Sequence, residues 1–178
     1  MYRSTWRLGS GCNAPPVAER PDVGDMAFDL AETLVRLLPR AISWAEDRSA
    51  EICADGKPLN SGGLALARAV GVASPEYIRV KVVERLPLPE DVELRDAALL
   101  TGLLGPGMVG MTFGYGIYLC RGHITNRLLS HECRHVYQYE SSGSIGAYLP
   151  VYLDQIATFG YEEAPLEADA RSHEREGA

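Results

Sequence analysis

The sequence has no surplus of positive charge. Its 17 lysine and arginine residues are outnumbered by 24 aspartates and glutamates, leaving a net charge of -7. Binding to nucleic acid calls for a basic face, so that partner class is set aside. Cysteine is scarce: Cys12, Cys53, Cys120 and Cys133 are scattered with no C-x-x-C pair, which excludes a zinc knuckle. A chain of 178 residues buries a core without a disulfide framework. The four thiols therefore read as reduced, and the compartment as cytoplasmic. The opening stretch MYRSTWRLGSGCNAPP has no apolar segment and does not read as a secretory leader. Repeats and low-complexity tracts are also missing.

One uncharged run calls for a membrane test. The 24 residues 97–120 carry no charge, a length that could span a bilayer. They include Gly105-Pro106-Gly107, which a lipid-exposed helix tolerates badly. The expectation is a helix end, a turn and a buried strand. A membrane-associated protease anchored by residues 97–119 is the disfavoured alternative.

What remains is an ordinary globular composition, 46% hydrophobic and 23% charged, which excludes collagen, coiled coil and wholesale disorder. Residues 1–24, with Pro15, Pro16 and Pro21 and no periodicity, read as an irregular arm, and residues 25–178 as one domain. From Asp25 the apolar residues Ala27, Leu30, Leu34, Leu37, Leu38, Ala41, Ile42 and Ala45 recur at helical spacing, with a kink or two abutting helices expected at Pro39. Residues 60–63 read as a loop, 64–70 as a short helix closed by Gly71, 77–83 as a strand and 94–104 as a helix. Residues 110–120 alternate with period two, Met111, Phe113, Tyr115, Ile117 and Leu119 on one face, and read as one strand. Helices follow over 124–140, with Thr125 as N-cap and Gly143 as stop, over 145–159, and over 164–176. The fold class is α+β: a small sheet and a mostly helical C-terminal half.

One motif stands out, His131-Glu132-Cys133-Arg134-His135, or H-E-x-x-H, and it uses two of the four histidines. On a helix, positions i and i+4 share a face one turn apart, so two imidazoles there can hold one Zn²⁺. Glu132 stands beside them, where it can address a zinc-bound water. A catalytic zinc needs a third protein ligand. Among the downstream candidates Glu167 is preferred, because Leu166, Ala168 and Ala170 suggest a partly buried helix; Glu163 and His173 are the alternatives.

With these residues in place, the segment 111–171 resembles a minimal gluzincin, an HExxH zinc metallopeptidase whose third ligand is a glutamate on a later helix. It is similar to small, uncharacterised bacterial peptidase-like domains. The resemblance implies a zincin-like domain, a peptide or protein substrate, and an edge strand before the motif helix that holds an extended peptide by main-chain hydrogen bonds. Gly114 and Gly116 would let a substrate backbone approach; a strand packed tightly on a neighbour is the other reading. Many gluzincins place an aspartate four residues after the ligand glutamate, to orient a zinc histidine. Here that residue is Arg171, leaving Asp169 and Asp154 as candidates.

The expected chemistry is amide hydrolysis with Glu132 as general base. Tyr139 and His123 are candidate oxyanion donors. Cys133 reads as a packed thiol, and a Cys12 thiolate capping the metal is a remote option. The competing function class is a non-catalytic, zinc-stabilised interaction or toxin-associated module.

Overall fold

The computed structural model describes residues 23–105 and 107–176. The expected arm and Cys12 lie almost wholly outside them; only residues 23 and 24 fall inside, as the start of the first helix. The chain order is α1 (Val23–Asp55), β1 (Lys57–Pro58), α2 (Ser61–Ala69), a 3₁₀ turn (Pro75–Tyr77), β2 (Arg79–Val83), α3 (Val92–Leu100), β3 (Gly110–Phe113), β4 (Gly116–Cys120), α4 (Asn126–Ser142), α5 (Ile145–Phe159) and α6 (Pro165–Ser172). This is an α+β fold. No described helix is long and apolar enough to cross a membrane.

The sheet has the order β1-β2-β4-β3, with β2 and β4 parallel and the other neighbours antiparallel. It is covered on both faces. Phe113 and Tyr118 join Leu37, Ala41, Ala45 and Ile52 of α1 and Leu149 and Leu153 of α5 in one core. Ile117 and Leu119 join Ala67, Cys133 and Val136 in a second core, beneath α2 and α4. All five residues of β4 are buried, as a doubly covered strand requires.

Three expectations change. First, of the kink or two abutting helices expected at Pro39, the second is excluded, because α1 is one helix: Pro39 is exposed, and buried Leu37 and Ala41 on either side pack into the same core. Second, the expected 60–63 loop is a helix start: the Asn60 side chain accepts the Gly63 N–H at 2.8 Å and caps α2. Third, residues 110–120 form a hairpin, not one strand. Gly114, at φ +59°, takes the first place of a two-residue turn, a position that favours glycine. The pairing of Met111 with Tyr118 and Thr112 with Ile117 splits the apparent stripe. Met111 and Phe113 face α1 and α5, while Thr112, Ile117 and Leu119 face α4.

Around the motif the expectations hold. Thr125 accepts the Leu128 N–H at 3.1 Å, and Gly143 closes α4 at φ +84°. Ser144 caps α5, which contains Pro150 and ends at Gly160. The last helix is shorter than expected, beginning at Pro165 and ending at Ser172.

Candidate metal centre

Helix α4 lies across the sheet face that carries Thr112 and Gly110, and α6 packs against α4. This arrangement brings His131, His135 and Glu167 together, with one ligand atom from each within 4.8 Å of the others. His131 Nε2 and His135 Nε2 are 3.1 Å apart. Glu167 Oε1 is 3.3 Å from His135 Nε2, and Oε2 is 3.5 Å from His131 Nε2.

The hydrogen-bond network sets the tautomers. The Gln138 amide nitrogen donates to Leu166 O and Asp169 Oδ2, so its oxygen faces His135 Nδ1 at 2.9 Å and accepts from Tyr148 at 3.1 Å. His135 therefore donates from Nδ1 and presents Nε2 inward. His131 Nδ1 lies 3.2 Å from Glu174 Oε1, which can only accept when ionised, and presents its Nε2 likewise. Two imidazole lone pairs thus converge beside a buried carboxylate. Glu167 Oε2 has no hydrogen-bond partner among the described residues, while Oε1 accepts from the Tyr152 hydroxyl at 2.7 Å. Such a set draws positive charge to its centre, a proton or a cation, beside the Arg171 guanidinium 3.7 Å from Oε2. Two imidazole nitrogens and a carboxylate are donors that suit zinc. The residues fit a metal ion.

The electrostatics agree. Burial disfavours charge on Glu167, yet the adjacent His131 and His135 rings and the Tyr152 hydroxyl hold its carboxyl well below the ordinary range. Burial also disfavours the His135 imidazolium, but Glu167, Glu132 and Gln138 together outweigh it and raise the ring to about 9. Glu132, buried beside the group, is shifted upward by desolvation against the pull of both histidines.

Glu132 is held from the strand. The Thr112 hydroxyl lies 2.7 Å from Glu132 Oε2, and a β-carbon at Gly110 would lie 2.8 Å from Glu132 Cδ. Glu132 lines a small inner cavity of about 80 Å³ with His135, Tyr139, Tyr148, Tyr152 and Glu167. With His131 it also lines an open cleft of about 1000 Å³, bounded by residues 107–110, Gly122, His123, Tyr161 and Arg171.

Gly114 and Gly116 do not line this site. A β-carbon on Gly116 would meet Ile52 at 3.0 Å, and Gly114 turns the hairpin beside Ser49 and Ile145. Both glycines serve packing against α1 and α5, and Gly110 is the one beside the carboxylate. Of the ligand alternatives, Glu163 is exposed, and His173 Nδ1 lies 2.8 Å from the Asp169 carbonyl. Asp154 is exposed, and Asp169 touches neither motif histidine; it holds Gln138 and pairs with Arg134 through two nitrogens. Arg171 lies 3.7 Å from Glu167 Oε2. Tyr139 faces only the inner cavity, His123 only the open cleft, and Tyr161 lines both. Cys133 is fully buried in the second core, as expected. Sequence reasoning missed Thr112, Gln138, Tyr152 and Glu174. Only Gln138 carried a local signal, three residues after His135 on the same helical face.

Comparison with protein-family models, with curated proteins and with solved structures finds no match to this chain.

Proposed function

We propose that the chain is a gluzincin-like zinc metallopeptidase that hydrolyses peptide bonds, with His131, His135 and Glu167 as the metal ligands. The observation that carries this reading is the convergence of two inward Nε2 atoms and a buried carboxylate oxygen with no hydrogen-bond partner among the described residues, with a second carboxylate, Glu132, held beside them. A zinc ion bound there would act as a Lewis acid and make a water acidic enough to ionise near neutral pH. With such a water present, the Glu132 carboxylate would be the base that takes its proton and passes it to the leaving amine. Its upward shift brings it toward the acidity such a base needs.

The sheet edge suits a peptide substrate. Cys120 N–H donates to Val109 O, and the hairpin closes at Phe113 and Gly116, so Val109, Met111 and Phe113 turn their main-chain groups to β4. Gly110 and Thr112 then turn theirs to the outer edge of β3, and Gly110 borders the open cleft. An extended peptide can add to that edge. Free thiols at Cys53, Cys120 and Cys133 suit the reducing cytoplasm that we propose as its compartment.

The deciding experiment measures zinc by elemental analysis and hydrolysis of a peptide library. Wild type should hold about one zinc per chain and cleave, whereas His135→Ala and Glu167→Gln should lose the metal. Glu132→Gln should keep zinc and lose roughly 10²–10⁴-fold in rate. Zinc without turnover in wild type would leave a non-catalytic metal module; no zinc after reconstitution would end the reading.

A further inference from the structure

The two motif histidines are held from behind by different chemistry. His135 is backed by the neutral amide oxygen of Gln138, on its own helix. His131 is backed by a carboxylate, Glu174, that arrives from beyond α6. His131 is also the ligand that borders the open cleft.

The segment that delivers Glu174 is itself anchored. After Ser172 the chain turns back over the first half of α4, where the Arg175 N–H donates to Ser130 Oγ at 2.8 Å. Ser130 is fully buried, and its hydroxyl donates to Arg127 O at 2.9 Å, leaving a lone pair for the Arg175 amide. One turn earlier on α4, the Arg127 guanidinium grips Glu174 Oε2. The other carboxylate oxygen, Oε1, is thereby left facing His131 Nδ1 at 3.2 Å. Two contacts, from Arg127 and Ser130 of α4, place one carboxylate oxygen behind one ring nitrogen.

We propose that Glu174 is a positioning residue for the metal site. Held by Arg127 and by the Arg175–Ser130 contact, it fixes His131 as the Nδ1–H tautomer and aims Nε2 at His135 and Glu167. This inference rests on the metal reading above. A carboxylate behind a ligating imidazole orients the ring and raises its basicity, and loss of such a partner costs roughly 10- to 100-fold in metal affinity. The residue reaches His131 from outside the motif helix, so the last described turn of the chain takes part in holding the ion.

The test pairs zinc affinity, by chelator competition, with the ¹⁵N chemical shifts of the histidine rings in the zinc-free protein. Wild type should show His131 protonated at Nδ1. Glu174→Ala should mix the His131 tautomers, leave His135 unchanged, and weaken zinc roughly 10- to 100-fold. Glu174→Gln, which keeps an accepting oxygen, should fall between the two. Ser130→Ala removes the anchor without touching either histidine and should weaken zinc by a smaller factor, while Glu163→Gln on the exposed turn should match wild type. Wild-type affinity and an unchanged His131 signal in folded Glu174→Ala would overturn the proposal. If Glu174→Ala fails to fold, wild-type signal and affinity in both Glu174→Gln and Ser130→Ala would overturn it instead. A wild type that binds no zinc refutes the metal reading, and the ring shifts then decide the Glu174 contact alone.

Discussion

Gly110 and Glu132 are in such close contact that no side chain fits between them. A β-carbon at position 110 would overlap Oε1 and lie 3.1 Å from Cγ of Glu132. The strand and the helix are therefore matched at this point, and the carboxylate takes its place because the strand offers hydrogen there. Gly110→Ala should push the Glu132 carboxylate aside while leaving the three ligands in place. The expected outcome is a full zinc complement with hydrolysis reduced on the order of 10²-fold. Unchanged kcat/KM would show that the carboxylate position is not critical.

Thr112 supplies the opposing hold. Its hydroxyl donates to the Glu132 carboxylate and favours the charged form against burial. Thr112→Val should leave that oxygen without a partner, cost about 1–3 kcal/mol of stability, and raise the Glu132 pKa further. The acid limb of the pH–rate profile should move to higher pH, with the alkaline limb unmoved. A limb that stays in place would separate Thr112 from the titration of Glu132.

The metal-free protein should have a distinctive pH profile. Folded His135 keeps its proton up to about 9, against an ordinary 6.5. This contribution is complete below 6.5 and is lost as pH rises through 9; it amounts to roughly 3 kcal/mol. Glu167 is shifted the other way, so its contribution is present above the ordinary 4.5 and lost as pH falls below it. Glu132, shifted upward, contributes a loss that begins as pH rises above its ordinary 4.5. Melting temperatures of chelator-treated protein should therefore peak between about 4.5 and 6.5 and decline toward 9. With zinc present the alkaline decline should disappear, because the ion replaces the proton. A metal-free curve that climbs toward pH 9 would contradict the pairing.

Thiol labelling should separate the described cysteines cleanly. Cys53 is exposed, and Cys120 and Cys133 are buried. Burial pushes the Cys133 thiol up to about 12, so little thiolate forms at neutral pH. Iodoacetamide followed by peptide mass spectrometry should modify Cys53 in the native protein, and Cys133 only after denaturation. Native labelling of Cys133 would mean that α4 opens readily.

Gly116 tests the packing role directly. Gly116→Ala would crowd Ile52 at 3.0 Å and should cost about 1–3 kcal/mol. The melting temperature should drop while KM for a peptide stays the same. A raised KM at full stability would return Gly116 to the substrate.

The motif helix was readable because its signals are local. Thr125, the uninterrupted run to Glu140 and Gly143 act within a few residues of one another, and HExxH spaces its imidazoles by one helical turn. Glu167 was readable only in part: of the residues that suggested a buried face, Ala170 is buried, Leu166 half-buried and Ala168 exposed. The hairpin was not, because period two continues unbroken through Gly114 and Tyr115, and a two-residue turn swaps faces without disturbing the alternation. Glu174 and Thr112 were hidden for a different reason. Their contacts with His131 and Glu132 span 43 and 20 residues, and no spacing rule reaches that far.

Helix α5 lies wholly inside the interval between His135 and Glu167. An ion held by those residues would turn this interval into a covalent-like ring. Ring closure restricts the unfolded chain much as a cross-link does, and the advantage grows slowly with the length enclosed. Stripping the ion would therefore lengthen the leash on α6, while α5 stays held by its packing against α1. Amide protons of α6 should then exchange faster, as a segment that latches and unlatches at the metal.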